Sequence, residues 1–137
     1  MGRPPQARSR PRQLTPLELE IMKVLWVASP ATVQAVRERL AESRPLAYNT
    51  VQTMLNVLHR KGRVRRLRRG RAFEYTPAVS RLQAARAAAA DLVQRMFDGS
   101  AESLVMSLME TRQLTPEKLA RLSALVPGAA GEEDADD

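Results

Sequence analysis

The residues best suited to chemistry lie between positions 49 and 71, where amide, hydroxyl and guanidinium groups are concentrated without a carboxylate. Eight of the twelve residues from 60 to 71 are Arg or Lys, in a chain with 15 acidic residues. Because a solvated helix face in such a chain would usually carry a carboxylate, this pattern favours a polyanionic partner over plain solvent. At 100° per residue, a helix from about Tyr48 to Lys61 gathers polar side chains on one arc: Asn49, Gln52, Thr53, Asn56 and Arg60.

These side chains are suited to reading double-stranded DNA. An amide on Asn49 or Gln52 can donate to and accept from an adenine edge in the major groove, which is wide enough for one helix. A threonine offers a methyl to thymine or a hydroxyl to phosphate. Arginines on a hairpin after this helix would lie over the backbone or minor groove and supply affinity more than discrimination. We therefore predict the following DNA-binding residues: Asn49, Thr50, Gln52, Thr53, Asn56, Arg60, Arg68, Arg69 and Arg71.

Charge is distributed unevenly along the chain. Residues 1–76 carry a net charge of +11, whereas residues 77–137 carry −4. The charge of residues 1–76 therefore suits binding to a polyanion, whereas that of residues 77–137 indicates a different role.

The composition argues against catalysis and against a bound metal or cofactor. The chain has no cysteine, and its one histidine, His59, cannot form a cluster or a triad. The five carboxylates of the first half are expected on helix surfaces or a strand, without a convergent partner. With neither a signal peptide nor an apolar run that could span a bilayer, we expect a cytoplasmic protein without membrane insertion.

The first half predicts three helices and a hairpin. Thr15 is a candidate N-cap with Glu18 as its capping-box partner, followed by an apolar stripe at helical spacing. Thr32 can cap a second helix, and Gly62 can end the third in a left-handed conformation. Residues 64–67 and 72–76 are expected to form strands joined by a tip at 68–71, with Phe73 and Tyr75 packed inward. This element order is typical of a winged helix-turn-helix.

The second half predicts a helical region that joins two copies of the chain. An alanine-rich helix over 82–97 precedes two shorter helices, capped by Ser100 and Thr115. The expected class is therefore mainly α with a small β-hairpin, a winged helix-turn-helix followed by a C-terminal helical dimerisation region. Its parts are a disordered basic arm (1–13), a DNA-binding domain (14–77), a dimerisation domain (78–126) and a disordered acidic tail (127–137). The expected dimer contacts are Leu104, Val105, Leu108, Met109, Leu119 and Leu122.

Three stretches resemble the BlaI/MecI penicillinase-repressor family. Residues 14–26 (LTPLELEIMKVLW) resemble its opening helix, 49–55 (NTVQTML) with Lys61-Gly62 its recognition helix, and 71–77 (RAFEYTP) its wing strand. Residues 103–105 and 114–117 resemble its dimerisation helices. The resemblance implies a homodimer that binds palindromic operators and blocks transcription, with Asn49, Thr50, Gln52 and Thr53 at DNA-contacting positions.

The resemblance also implies a route of release. A membrane sensor with a zinc-protease domain cuts well-known members in the dimerisation helix, at an Asn-Phe bond. This chain has Ser107-Leu108 at the aligned cleavage position. A copper-sensing branch uses C-terminal cysteines, and this chain has none.

Two other functions remain open at this point. The winged helix could bind a protein partner, or the arginine run could bind nucleic acid without regard to sequence. Binding to scrambled and cognate duplexes would distinguish these readings from an operator-specific repressor.

Overall fold

A computed structural model describes residues 13–127, and these form six helices and one β-hairpin. The predicted fold class, mainly α with a small hairpin, is confirmed. The predicted basic arm and acidic tail lie outside the described residues, apart from Gln13 and Pro127. In chain order the elements are α1 (Pro16–Val27), α2 (Val33–Leu40), α3 (Tyr48–Arg60), β1 (Val64–Arg69), β2 (Ala72–Pro77), α4 (Arg81–Met96), α5 (Ala101–Glu110) and α6 (Pro116–Leu125).

The predicted helix ends of the first half are confirmed. The Thr15 hydroxyl accepts from the Glu18 N–H at 3.2 Å, and the Glu18 carboxylate accepts from the Thr15 N–H at 2.9 Å. The Thr32 hydroxyl accepts from the Ala35 N–H at 3.1 Å. Gly62 follows α3 with φ +78°, a conformation that costs glycine little because it has no Cβ. Local capping chemistry thus sets where α1 and α2 begin and where α3 ends.

The core of this region lies between α1, α2, α3 and the base of the hairpin. On α1 the fully buried apolar side chains are Ile21, Met22 and Leu25. Tyr48, the first residue of α3, is 42% exposed, because the buried stripe of this helix begins at Val51. The buried apolar side chains are Ile21, Met22, Leu25, Ala31, Val33, Val36, Leu40, Val51, Leu55, Leu58, Val64 and Tyr75.

The expectation that Glu18 lies on a helix surface is wrong. Its side chain is 2% exposed, and the Lys61 ammonium approaches its Oε2 at 2.9 Å. Burial raises the pKa of the Glu18 carboxyl, but hydrogen bonds from the Thr15 N–H and Lys61, the Lys61 charge and the Thr15 hydroxyl together hold that pKa below its ordinary value. The buried carboxylate therefore ties the start of α1 to the end of α3.

The hairpin is longer, and its tip tighter, than the sequence predicts. Arg68 and Arg69, predicted in the tip, continue β1 and lie opposite Phe73 and Ala72, which leaves Gly70 and Arg71 as the turn. Gly70 has φ +63°, as a two-residue turn requires.

The base of the hairpin is fastened to the loop between α1 and α2. Tyr75 exchanges two backbone hydrogen bonds with Ala31, at 2.8 and 3.0 Å. The predicted inward packing holds fully for Tyr75, which is buried, and partly for Phe73, which is half-buried. The Ala31 bridge therefore holds the second strand against the core on the side away from β1.

The described residues divide into two compact units, one ending at Ala89 and the next beginning at Ala90, within α4. In the second unit the predicted caps are confirmed, since Ser100 and Thr115 accept from the N–H groups of Ser103 and Lys118. Of the described residues after position 89, none is buried. No helix of residues 13–127 is both long enough and apolar enough to cross a bilayer.

Candidate nucleic-acid interface

The orientation of α3 follows from its contacts with the core. Val51, Leu55 and Leu58 are fully buried, so the opposite face of the helix points away from the core. The Arg37 Nε donates to the Leu46 carbonyl at 3.0 Å and holds the turn between α2 and α3. The chain from α2 to α3 is thus a helix-turn-helix with one polar face outward.

The polar residues predicted on α3 share this outward face. Asn49, Thr50, Gln52, Thr53 and Arg60 are all exposed. No side chain caps the N-terminus of α3, whose positive dipole end favours a nearby anion. The first turn of α3 therefore combines exposed amide and hydroxyl side chains with a backbone suited to phosphate.

Asn56 differs from its neighbours because it binds a residue of the hairpin. The Arg66 Nη1 donates to the Asn56 Oδ1 at 3.2 Å, and Asn56 is only half-buried. The guanidinium of Arg66 also lies over the Phe73 ring, 4.3 Å from its centroid. Arg66 therefore bridges α3 and the hairpin through a hydrogen bond and a cation–π contact.

Arg66 was not among the predicted site residues. Residues directly opposite one another in an antiparallel pair share a face, and here Arg66 lies opposite Tyr75 and Arg68 opposite Phe73. The Arg68 guanidinium lies 4.8 Å from the Phe73 centroid. The alternation of these residues along the strands is visible in the sequence. The predicted four-residue tip, however, gives a shorter first strand and so does not predict which residues pair.

Arg69 and Arg71 are the other arginines that the sequence predicted on the hairpin. Arg69 is 63% exposed, and its Nε lies 3.4 Å from the Glu74 carboxylate. Arg71 is exposed at the turn. Leu67 is 63% exposed on the same face as Arg69, an apolar group at the wing that sequence reasoning did not single out.

The electrostatics of this surface are positive. The sequence has no Asp or Glu between Glu42 and Glu74, a stretch that contains all of α3 and β1. Two cations of the basic run are paired with carboxylates, Lys61 with Glu18 and Arg69 with Glu74. The remaining exposed arginines create a positive potential that attracts a polyanion.

The described part of the chain offers no candidate metal centre. Across residues 13–127, no group of three or more His, Cys, Asp or Glu side chains is placed to hold a metal ion.

A helix-turn-helix followed by a basic hairpin, with an acid-free polar face on its second helix, defines a winged-helix DNA-binding regulator.

Comparison with known proteins identifies the family. The family model described as "Penicillinase repressor" matches residues 14–127. The penicillinase repressor of Bacillus licheniformis is 31% identical over 110 residues, which cover 80% of this chain and 86% of the relative. The transcriptional regulator BlaI of Mycobacterium tuberculosis is 35% identical over 100 residues, 72% of each chain. The chain therefore belongs to the penicillinase repressor family, as the sequence resemblance predicted.

A solved structure supports the fold alone. The complex structure of hsRosR-S4 has a TM-score of 0.52 with 19% sequence identity, covering 96% of this chain and 99% of that chain. The family and the fold together make this protein a DNA-binding transcriptional repressor and not an enzyme.

Proposed function

We propose that this repressor acts as a homodimer on a palindromic operator, with one α3 helix in the major groove of each half-site. The observation that carries the proposal is the exposure of the acid-free face of α3, beside a hairpin of arginines. A two-fold protein on an inverted repeat presents the same helix to both half-sites. Because its target is DNA, we place the protein in the cytoplasm.

The base-reading and backbone-binding roles are divided between α3 and the hairpin. Asn49 and Gln52 contact base edges, while Thr50 and Thr53 contact a thymine methyl or a phosphate. Arg60, Arg68, Arg69 and Arg71 contact the backbone, and Asn56 acts together with Arg66. We expect α3 to supply discrimination and the hairpin to supply affinity.

The homodimer is formed by α5 and α6. The apolar residues Leu104, Val105, Leu108, Met109 and Leu119 are only half-buried in the single chain, and Leu122 is 50% exposed. A unit of this size has too little core to bury such surface alone, and a second copy supplies the missing contacts. We therefore assign residues 14–77 to DNA binding and 78–126 to dimerisation.

Release by a membrane sensor metalloprotease at Ser107-Leu108 would require α5 to open first. The Ser107 carbonyl accepts from the N–H and the hydroxyl of Thr111, at 3.1 and 3.0 Å. The side chains of Ser107 and Leu108, on either side of the bond, are half-buried within the helix. A protease needs an extended backbone, so cleavage here depends on local unfolding of this helix.

Fluorescence anisotropy with two labelled duplexes tests the proposal. One duplex carries the inverted repeat found by footprinting on the protein's own promoter, and the other a scrambled repeat of equal length. We expect nanomolar affinity for the first and discrimination of about a thousandfold. If roughly six to eight phosphates are neutralised per dimer, the log–log slope of affinity against salt should be about −5 to −7.

Two other results of the anisotropy experiment would favour the alternative functions. Equal affinity for both duplexes would replace the proposal with a sequence-indifferent nucleic-acid binder. The absence of duplex binding at low salt would leave a winged helix that binds a protein partner.

A further inference from the structure

The first unit contains a groove that the DNA-binding face does not use. Its volume is about 480 Å³, within the range of small-molecule sites. Its lining comes from the start of the described chain, α1, Arg63, the segment after β2 and the first half of α4. No residue of α3 lines it, so a molecule bound there would leave the polar face of α3 uncovered.

The walls of this groove are largely apolar. Leu14, Leu19, Trp26 and Val79 line it, and each is half-buried. The indole N–H of Trp26 donates to the Val79 carbonyl at 3.0 Å, which satisfies its polar atom and fixes the position of the ring. Four alanines of α4 complete the apolar lining: Ala84, Ala85, Ala87 and Ala88.

The charged groups of the groove all have one sign. Lys23, Arg63 and Arg81 line it, from α1, the start of the hairpin and the start of α4. Of the residues described, no Asp or Glu lines the groove. An apolar cleft whose lining includes three cations and no described carboxylate favours a ligand with negative charge.

We propose that this groove binds a small organic acid, a carboxylate joined to an aliphatic or aromatic body. The carboxylate would lie among the cations, and the body would cover the apolar walls. An inorganic anion would use the charge but leave those walls in contact with water, whereas a neutral apolar molecule would gain nothing from the charges of Lys23 and Arg81. Both features of the groove are therefore matched only by an amphipathic anion.

The chain carries its own reporter for this site. Trp26 is its one tryptophan, so the intrinsic emission of the full-length protein comes from a side chain in the groove wall. Titration with octanoate or 4-phenylbutyrate should change this emission and saturate. Octanamide has the same body without the charge and should bind more weakly by about tenfold. No DNA is present, so failure here is distinct from failure of the proposed function.

Matched variants test the charge and the cavity separately. Lys23→Gln combined with Arg81→Gln should weaken octanoate binding by about tenfold and leave octanamide binding unchanged. Arg86→Gln is the control, because Arg86 is exposed on α4 but does not line the groove. Ala84→Leu should fill the cavity and weaken both probes, with circular dichroism verifying that the variant is folded.

Three results would overturn the proposal. The first is octanamide binding as tightly as octanoate, and the second is octanoate binding that is insensitive to the double variant. The third is self-association: if raising the protein concentration changed the emission and prevented both probes from binding, the groove would be assigned to a second copy of the chain.

Discussion

The Arg66 guanidinium donates from its Nη1 to the Asn56 Oδ1 at 3.2 Å, joining the hairpin to the proposed recognition helix. The same guanidinium lies 4.3 Å from the Phe73 ring centroid. Because one extended guanidinium makes both contacts, the compact ammonium of a lysine is a poor replacement for it. Arg66 is therefore one of the contacts that hold the hairpin beside the helix.

Arg66→Lys should weaken operator binding without changing its salt dependence. The charge is kept, but the hydrogen bond and the ring contact together account for about 1–2 kcal/mol, roughly tenfold in affinity. Arg65→Lys is the matched control, because Arg65 faces the opposite side of the hairpin. Anisotropy titrations at several salt concentrations measure both quantities. Equal affinities for the two variants would show that the bridge has no part in binding.

Gln52→Ala should reduce discrimination at one position of each half-site. The loss should be about 1–3 kcal/mol if the amide makes two hydrogen bonds to a base edge. Gln34→Ala provides the control, since Gln34 is an exposed amide on α2 that bonds to Glu38. Competition against single-substitution operators locates the affected base pair. A uniform loss across all sequences would instead assign Gln52 to the phosphate backbone.

Arg69→Ala should weaken cognate and scrambled duplexes by the same factor. One phosphate contact per subunit would be lost, so the salt slope should flatten by about two per dimer. Arg95→Ala is closely matched, because Arg95 also lies 3.4 Å from a carboxylate, that of Asp91, and is also exposed. Our assignment of Arg69 to the backbone would be wrong if the substitution altered sequence preference alone.

Leu104→Asp should separate the proposed dimer into monomers. A carboxylate in an apolar interface loses hydration without gaining a partner, and the operator then binds two independent half-site proteins with much lower affinity. Sedimentation measures the mass directly. Ser103→Asp serves as the control, since Ser103 is exposed on the same helix beside the proposed contact residues. A dimer that survives Leu104→Asp would place the interface elsewhere.

Glu18→Gln should change how stability depends on pH. The pKa of Glu18 is lower in the folded chain than the ordinary value of about 4.3, so its stabilising effect is complete above that value and is lost as pH falls through the folded pKa. The variant should be less stable than the parent by about 1–3 kcal/mol near neutral pH, and this difference should shrink as the pH falls through the lowered pKa of Glu18.

Denaturant unfolding at a series of pH values measures this effect. Glu42→Gln is the control, because Glu42 is exposed on the surface. A stability difference between Glu18→Gln and the parent that stayed constant from neutral to acid pH would contradict the prediction.

Much of the first unit could be predicted because its signals are local. The capping box at Thr15 and the left-handed Gly62 involve atoms within a few residues, so their chemistry acts before any packing. The apolar spacing of Val51, Leu55 and Leu58 selects the buried side of α3, and hence the exposed side. The polar arc of α3 was therefore evident from one helix alone.

The predictions that proved wrong concern residues whose position depends on partners far away in the sequence. Glu18 was expected at the surface, but Lys61, 43 positions later, neutralises it in the core. Arg68 and Arg69 were assigned to the tip because the strand pairing depends on the turn, which is two residues long. The Arg66 bridge to Asn56 follows only from that register.

The sequence by itself determined the helices, the wing, the family and the positive, acid-free surface, because composition and local hydrogen bonds do not depend on how the elements meet. Tertiary structure alone decided which cations stay paired, how α3 is joined to the hairpin, and that α1 and α4 enclose a cationic groove. Those features bring together side chains far apart in the chain, and their geometry exists only once strand register and helix packing are fixed.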